Sequence, residues 1–414
     1  MHLNFQRAAL VGIVLATASP SLHAQRGATD WTQYRGPGRD GVATTFSVPA
    51  TWPEALVQKW SVDVGTGYAS PIVVGDRVYV FSRRGDNEGM SAHDVATGRE
   101  LWRFGYSAPF TMNSAATRHN AGPKSTPIYV NGRLISIGMT GVITAWDAPT
   151  GRQIWQKPGS LPVPLYTTHA FSPLVDGNNL ILHVGGHDKG ALTAFDVATG
   201  DIRWSWTGDG PGYGSPIVAT IGGTRQIVTI TQSKVVGVDA GTGALLWERP
   251  FPSSVTTNSN TPILYGQTIV VSGNGGPTVA FTAAKNGAQW TTTNVWENAD
   301  IPLRLTNLVL VGDMLFGMTN RNAGQYFAVD AKTGKTLWVS PGRQASNAAI
   351  ARAGDVLLSL EDDGDLVVLK NSPSAFEVLK KYKVAEGETW AEGVFSGNRI
   401  FIKDLNRLTL WTLS

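Results

Sequence analysis

Lys124, His169, Arg304 and Trp390 stand at positions where no turn or strand demands their side chains. Each precedes a short apolar segment that reads as a strand. The equivalent places elsewhere in the chain carry Tyr68 and Ser70, His119 and Ser125, Phe171 and Ser172, Tyr213 and Ser215, Asn258 and Asn260, Asn307, Ser346 and Asn347, and Glu392. Cations, amides and aromatic rings converging on one axis make a polar pocket with apolar walls, which is the chemistry of recognition. Lys124, Arg304, Trp390, His169, Tyr68, Tyr213, Asn258 and Asn260 are therefore the candidate binding residues. The hydroxyls have a plainer reading as caps of a strand start, as in Ser70-Pro71, Thr126-Pro127, Ser172-Pro173, Ser215-Pro216 and Thr261-Pro262. Neither a glycine-rich phosphate loop nor a Gly-x-Ser-x-Gly elbow occurs in a credible context. The catalytic residues, and whether there are any, stay unassigned.

A repeated segment must position these residues. Ala92-His-Asp94-Val-Ala-Thr97-Gly98-Arg-Glu-Leu-Trp102 returns with the same spacing at Ala145 to Trp155, Ala194 to Trp204, Gly237 to Trp247 and Ala328 to Trp338. A sixth, worn copy is read at Ala283 to Trp290. In this pattern Asp accepts backbone hydrogen bonds across a hairpin, Gly takes a positive φ, and Trp lies on the following strand against the neighbouring repeat. Many copies of one site are scaffold, because repeats keep what stacks them together. Any chemistry then lies at the opposite ends of the strands or in the loops that break the repeat.

Around each copy the grammar is four short strands separated by turn signals, an antiparallel meander. The first turn of each unit recurs at Gly75-Asp76, Asn131-Gly132, Asp176-Gly-Asn178, Gly222-Gly223, Gly266-Gln267, Gly312-Asp313, Gly354-Asp355 and Gly397-Asn398, which counts eight blades. A loop at Ser107 to Pro123 lengthens the first interval. The last unit ends one strand short, and Leu56 to Val64, carrying Trp60, supplies a spare strand at the other end. The expected fold is all-β: an eight-bladed β-propeller of four-stranded antiparallel blades, its ring closed by that N-terminal strand. Residues 25–55, rich in Gly, Pro, Arg and Thr, read as an irregular arm laid over the propeller at 56–414.

The 414 residues carry 34 basic against 31 acidic side chains, too even a balance to argue for nucleic acid. Cysteine is absent, which removes disulfides, thiol catalysis and cysteine-ligated metals together. Residues 1–24 read as an export signal, with Arg7, an apolar run and Ala24 before Gln25; the run is too short for a membrane anchor. The expected compartment is periplasmic or secreted, and the expected state a monomer. Glu361-Asp-Asp-Gly-Asp365 has the composition of a calcium loop without its spacing and reads as a solvated hairpin. His183 and His187, four apart at a strand end, do not share a face as a metal pair.

The Asp-x-x-Thr-Gly-x-x-x-Trp pattern, from about Trp60 to Trp411, resembles the tryptophan-docking repeat of the pyrroloquinoline-quinone (PQQ) propeller superfamily. That superfamily spans quinoprotein dehydrogenases and an outer-membrane assembly lipoprotein that carries no quinone. Asp30 to Gly41, followed by Gly65 to Pro71, is similar to secreted bacterial repeat proteins of the same class. The resemblance implies the fold, and it leaves three functions open. One is an exported scaffold presenting its mouth to a small molecule, glycan or envelope protein. A second is a dehydrogenase of sugars or alcohols using PQQ with calcium, in which Trp390 would stack, Lys124 and Arg304 would meet carboxylates, and Asn258, Asn260 and Glu392 would offer oxygens. The third is an envelope-assembly factor.

Overall fold

A computed structural model describes residues 30–159, 169–252 and 258–414. Residues 1–24, read from sequence as an export signal, lie outside them. Eight four-stranded antiparallel sheets follow one another around a ring. Blade 1 runs through Ile72–Val74, Arg77–Arg84, Asn87–Asp94 and Glu100–Ser107. Blades 2 to 8 begin at Ile128, Leu174, Ile217, Ile263, Val309, Ala348 and Val394. Blade 8 takes its outer strand from the start of the chain: Val57–Asp63 pairs antiparallel with Arg407–Thr412. Sharing one sheet between both ends of the chain leaves the ring without a gap. The buried Lys403 ammonium fastens the joint by donating to the carbonyls of Gly65, Gly67, Asp404 and Leu405.

The repeated turn works as its residue types require. Asp94 accepts from the Thr97 amide and hydroxyl at 2.9 and 2.7 Å, and Asp147, Asp239 and Asp330 repeat the arrangement. Four of the docking tryptophans donate to a turn carbonyl of the next blade in the same way. Trp60 Nε1 donates to the Val95 carbonyl, Trp155 to Val197, Trp204 to Ala240 and Trp296 to Ala331. The turn glycine of the next blade lies under the ring: a Cβ on Gly243 (φ 72°) would stand 2.5 Å from Trp204. Gly243→Ala is therefore expected to lose about 1–3 kcal/mol from strain and undocking. Gly75, also at positive φ but with open space around it, provides the comparison. In urea denaturation Gly75→Ala should lose less, and equal losses would show that docking contributes nothing.

Blade 5 corrects the sequence reading. Its docking tryptophan is Trp296, paired with Ala280 as Trp102 pairs with Ala92. Trp290, taken above as the worn copy, sits on an outer hairpin lengthened to Thr278–Asn286 and Gln289–Asn298 and leans toward Gly222 of blade 4. Since blade 5 lacks the Asp-Thr-Gly turn, Trp247 has no such carbonyl to reach; it donates to Gln226 within its own blade instead.

The arm is also placed differently from expectation. Residues 30–46 enter the central channel and touch every blade. Trp31 bridges Val73, Thr32 accepts from the Tyr129 amide, Val42 bridges Arg352, and Phe46 bridges Gly397. At its tip the arm meets blades 3 to 6 and blade 8 through Tyr34, Arg35 and Arg39. Arg39 is buried and donates to the carbonyls of Ser172 (2.7 Å), Pro173 (2.8 Å) and Pro216 (2.9 Å). Arg35 donates through its guanidinium to the Leu308 carbonyl and through its backbone amide to Glu392. Tyr34 accepts from Asn307 at 2.7 Å and bonds Thr261.

Candidate functional site

The strand-start residues form a girdle above this plug. The Glu392 amide donates to the Ser70 hydroxyl, Ser70 to Thr126, Thr126 to Ser172, Ser172 to Ser215, Ser215 to Thr261, and Thr261 to the Asn307 side chain, at 2.8–3.2 Å. The five hydroxyls tie blade 8 to 1, 1 to 2, 2 to 3, 3 to 4 and 4 to 5, and Asn307 ties 5 to 6, a role beyond capping their own strands. Blade 7 breaks the girdle, because the register of its inner hairpin puts Ala349 where Asn307 stands in blade 6. The arm's Tyr34 and Arg35 lie beside that break, bonded to Asn307, Leu308 and Glu392.

Over the girdle opens a cavity of about 620 Å³. Tyr34 of the plug and Glu392 line it together with Tyr68, His119, Lys124, Tyr213, Arg304 and Trp390. Asn274, Ser259, Asn307, Asn347 and the apolar run Ala348 to Ile350 complete the wall. With the arm inside the channel this is a cup closed below. Five of the eight candidate residues thus share one site: Lys124, Arg304, Trp390, Tyr68 and Tyr213.

The other three lie outside the cup lining. Asn258 donates through Nδ2 to the carbonyls of Phe251, Thr231 and Gln232, and Asn260 to that of Thr306, while the Oδ1 atoms of both are buried without a hydrogen-bond partner among the described residues. His169 is buried edge-on to Phe171, and burial pulls its pKa down to about 4. His183 bonds Thr229 while His187 bonds the Pro211 carbonyl, so the two do not act as a pair. Tyr34 lines the cup and the plug arginines brace it from below, positions that sequence reasoning did not single out. Their signals were a turn-rich stretch with two arginines and the family resemblance of Asp30 to Gly41.

The loop between blades 1 and 2 builds one rim. Its 3₁₀ turn, Ser114–His119, places His119 edge-on to Trp390 with centroids 5.1 Å apart and Arg118 over the same ring at 5.8 Å. Arg118 pairs with Glu388, which also accepts from Trp390 Nε1. The Lys124 ammonium donates to the carbonyls of Asn120 and Gly122. Burial lowers Lys124 to about 7, with the Glu88 carboxylate opposing that fall. Burial also lowers His119, and the surrounding Lys124, Arg118 and Arg304 reinforce the shift.

At the floor, burial raises Glu392 to about 7 against the pull of Arg35 and Arg39. A carboxyl raised on folding binds its proton more tightly in the native state, so its contribution to stability is present at acid pH and is lost as pH rises toward 7. The difference in unfolding free energy between wild type and Glu392→Gln should therefore change between about pH 4.5 and 7, the wild type losing ground as pH rises. A difference that is flat across this window in urea titrations would refute the assignment.

These features define the class: a ring-closed propeller of the PQQ-like β-propeller superfamily, with tryptophan-docked blades and a polar cup. The sequence model of the family described as outer membrane protein assembly factor BamB matches residues 86–340, and the chain belongs to that family. The assembly factor BamB of Burkholderia pseudomallei is 26% identical over 74% of this chain and 86% of its own length. The dehydrogenase subunit of the quinone alcohol dehydrogenase of Acetobacter aceti is 27% identical, over 36% of this chain and 21% of that protein. Among solved structures, BamB from Moraxella catarrhalis superposes with a TM-score of 0.60 over 86% of this chain and all of its own, at 16% identity. A quinohemoprotein alcohol dehydrogenase from Pseudomonas putida gives 0.68 over 93% of this chain and 80% of its own, at 13% identity. At these identities the superpositions speak for the fold. No helix among the described residues is long and apolar enough to cross a membrane.

The quinone and its metal can be tested against the cup. Calcium takes six to eight oxygen ligands, several of them carboxylates. Glu392 is the one carboxylate in the lining, and it faces Arg35 and Arg39. Asn258 and Asn260, the other expected oxygen donors, are outside it. Among the described residues, the one group of three metal-capable side chains is Glu361, Asp363 and Asp365, on a hairpin of blade 7 that does not line the cup. Lys381 already places its ammonium 3.0 and 2.8 Å from Glu361 and Asp365. The described cup residues do not fit a calcium-bound quinone.

Proposed function

We propose that this chain is an exported, non-catalytic binding propeller of the cell envelope that receives its ligand or partner in the cup. The observation that carries this reading is the floored cup itself: aromatic and cationic walls, a blind end, and a single carboxylate held among guanidinium groups. Such a site has the volume and mixed lining of a ligand pocket, and its described residues include no oxygen cluster of the kind quinone chemistry would need beside it. Protein supplied with PQQ and calcium is expected to show no oxidation of alcohols or sugars in a dye-reduction assay. Calorimetric titration with the quinone should likewise stay flat. Turnover in that assay would overturn the reading in favour of a dehydrogenase.

A second reading is an envelope-assembly factor. It is favoured by the family match over residues 86–340 and by the Burkholderia pseudomallei relative, of which this chain spans 86%. Co-purification with outer-membrane barrel assembly components, weakened by substitutions at Arg118 or Trp390, would support it. Retention of no such component under mild extraction would count against it.

A further inference from the structure

Arg304 carries the argument furthest. It is exposed on the cup wall, and among the described residues its guanidinium has no hydrogen-bond or ion-pair partner. Five N–H donors in a fixed fork match a carboxylate two at a time. Lys124, Arg118 and Arg304 all act on His119, so the positive charge gathers in one sector of the mouth. Arg118 is already paired with Glu388, and Lys124 is held by backbone carbonyls, which leaves Arg304 as the donor with capacity to spare. A concave wall of low dielectric concentrates such a field on whatever enters.

The remainder of the wall describes the body of the ligand. Trp390, partly buried under His119 and Arg118, and the largely buried rings of Tyr68 and Tyr213 supply aromatic lining, and Ser259 and Asn274 are polar. A pyranose ring answers both, with C–H faces for the aromatics and hydroxyls for the polar groups. Because Tyr34 lines the cup from the arm that occupies the channel below it, a chain entering the cup presents its end. We propose that the cup binds the acidic terminal residue of a glycan, its carboxylate on Arg304 and its ring among Trp390, Tyr68 and Tyr213. This inference rests on the cup-binding reading above and names the ligand class for it.

The test is calorimetric titration of the full chain with three probes: a galacturonic acid trimer, the neutral trimer maltotriose, and a peptide of three aspartates. The acidic trimer is expected to bind one per chain, at least about tenfold more tightly than the neutral one, the scale of a charged hydrogen-bonded contact. Arg304→Gln should remove that margin while leaving the urea midpoint in place, and Arg304→Lys should restore part of it. Equal binding of the neutral sugar, preference for the peptide, or no binding of the acidic sugar each overturns the inference. Those results leave the non-catalytic reading untouched, because that reading falls only to turnover with quinone and calcium.

Discussion

Arg39→Ala is expected to lower the unfolding free energy by about 3 kcal/mol, since each charged hydrogen bond contributes about 1.5–3 kcal/mol and three backbone carbonyls lose their donor together. Ser172, Pro173 and Pro216 belong to blades 3 and 4, and their carbonyls face the channel, where the arm is their partner. The gross sum is larger than the expected loss because keeping the guanidinium inside is itself costly. Burial pulls the pKa of Arg39 down to about 10, so part of the gain from its hydrogen bonds is offset by a desolvation that the alanine variant recovers. Arg39→Lys keeps the charge but replaces a planar fork by one ammonium, so it should fall between the two. Urea denaturation measures this directly, and a loss below about 0.5 kcal/mol, the range of an ordinary surface substitution, would mean that the arm lies on the channel without bracing it.

The arm also marks the limit of what the sequence discloses. The blades were readable because their signals are local: Asp94, Thr97 and Gly98 make their turn within five residues, and Trp102 follows at fixed spacing. Ring closure by the strand around Trp60 was readable for a related reason, since a missing strand at one end and a spare one at the other balance. Arg35 and Arg39 bond to backbone carbonyls more than a hundred residues away, and every residue has such a carbonyl, so no complementary side chain announces the partner. Trp290 was misread because an insertion in the hairpin moved the true docking residue to 296 while leaving another tryptophan near the expected place. At the mouth, the sequence located the strand starts but not the direction of each side chain. Lys124 and Arg304 face the cup, whereas Asn258, Asn260 and His169 lie outside its lining. Glu88 had a usable signal that went unread: it shares the period-two face of Met90 and Ala92, so the alternation puts a carboxylate inside.

That carboxylate supports the second large expectation, that Glu88→Ala costs about 3–5 kcal/mol, the usual penalty for stranding one partner of a buried ion pair. Glu88 and Arg83 are both buried and meet at 2.8 Å. Glu88 also accepts from the Tyr106 hydroxyl and from the Met139 amide of blade 2, so it joins two blades. Burial still raises its pKa, although Arg83 and these donors oppose the shift. Replacing the pair by apolar residues, Arg83→Met with Glu88→Leu, should recover only part of the loss because Tyr106 and the Met139 amide stay without an acceptor. The effect reaches the cup through two contacts. Arg83 Nε holds the Ala121 carbonyl, next to the Asn120 and Gly122 carbonyls that seat Lys124, and the Glu88 charge favours the Lys124 ammonium. Glu88→Ala should therefore raise amide exchange in residues 114–123 as well as shift the urea midpoint, whereas a cavity confined to blade 1 would move the midpoint and leave exchange in that loop unchanged.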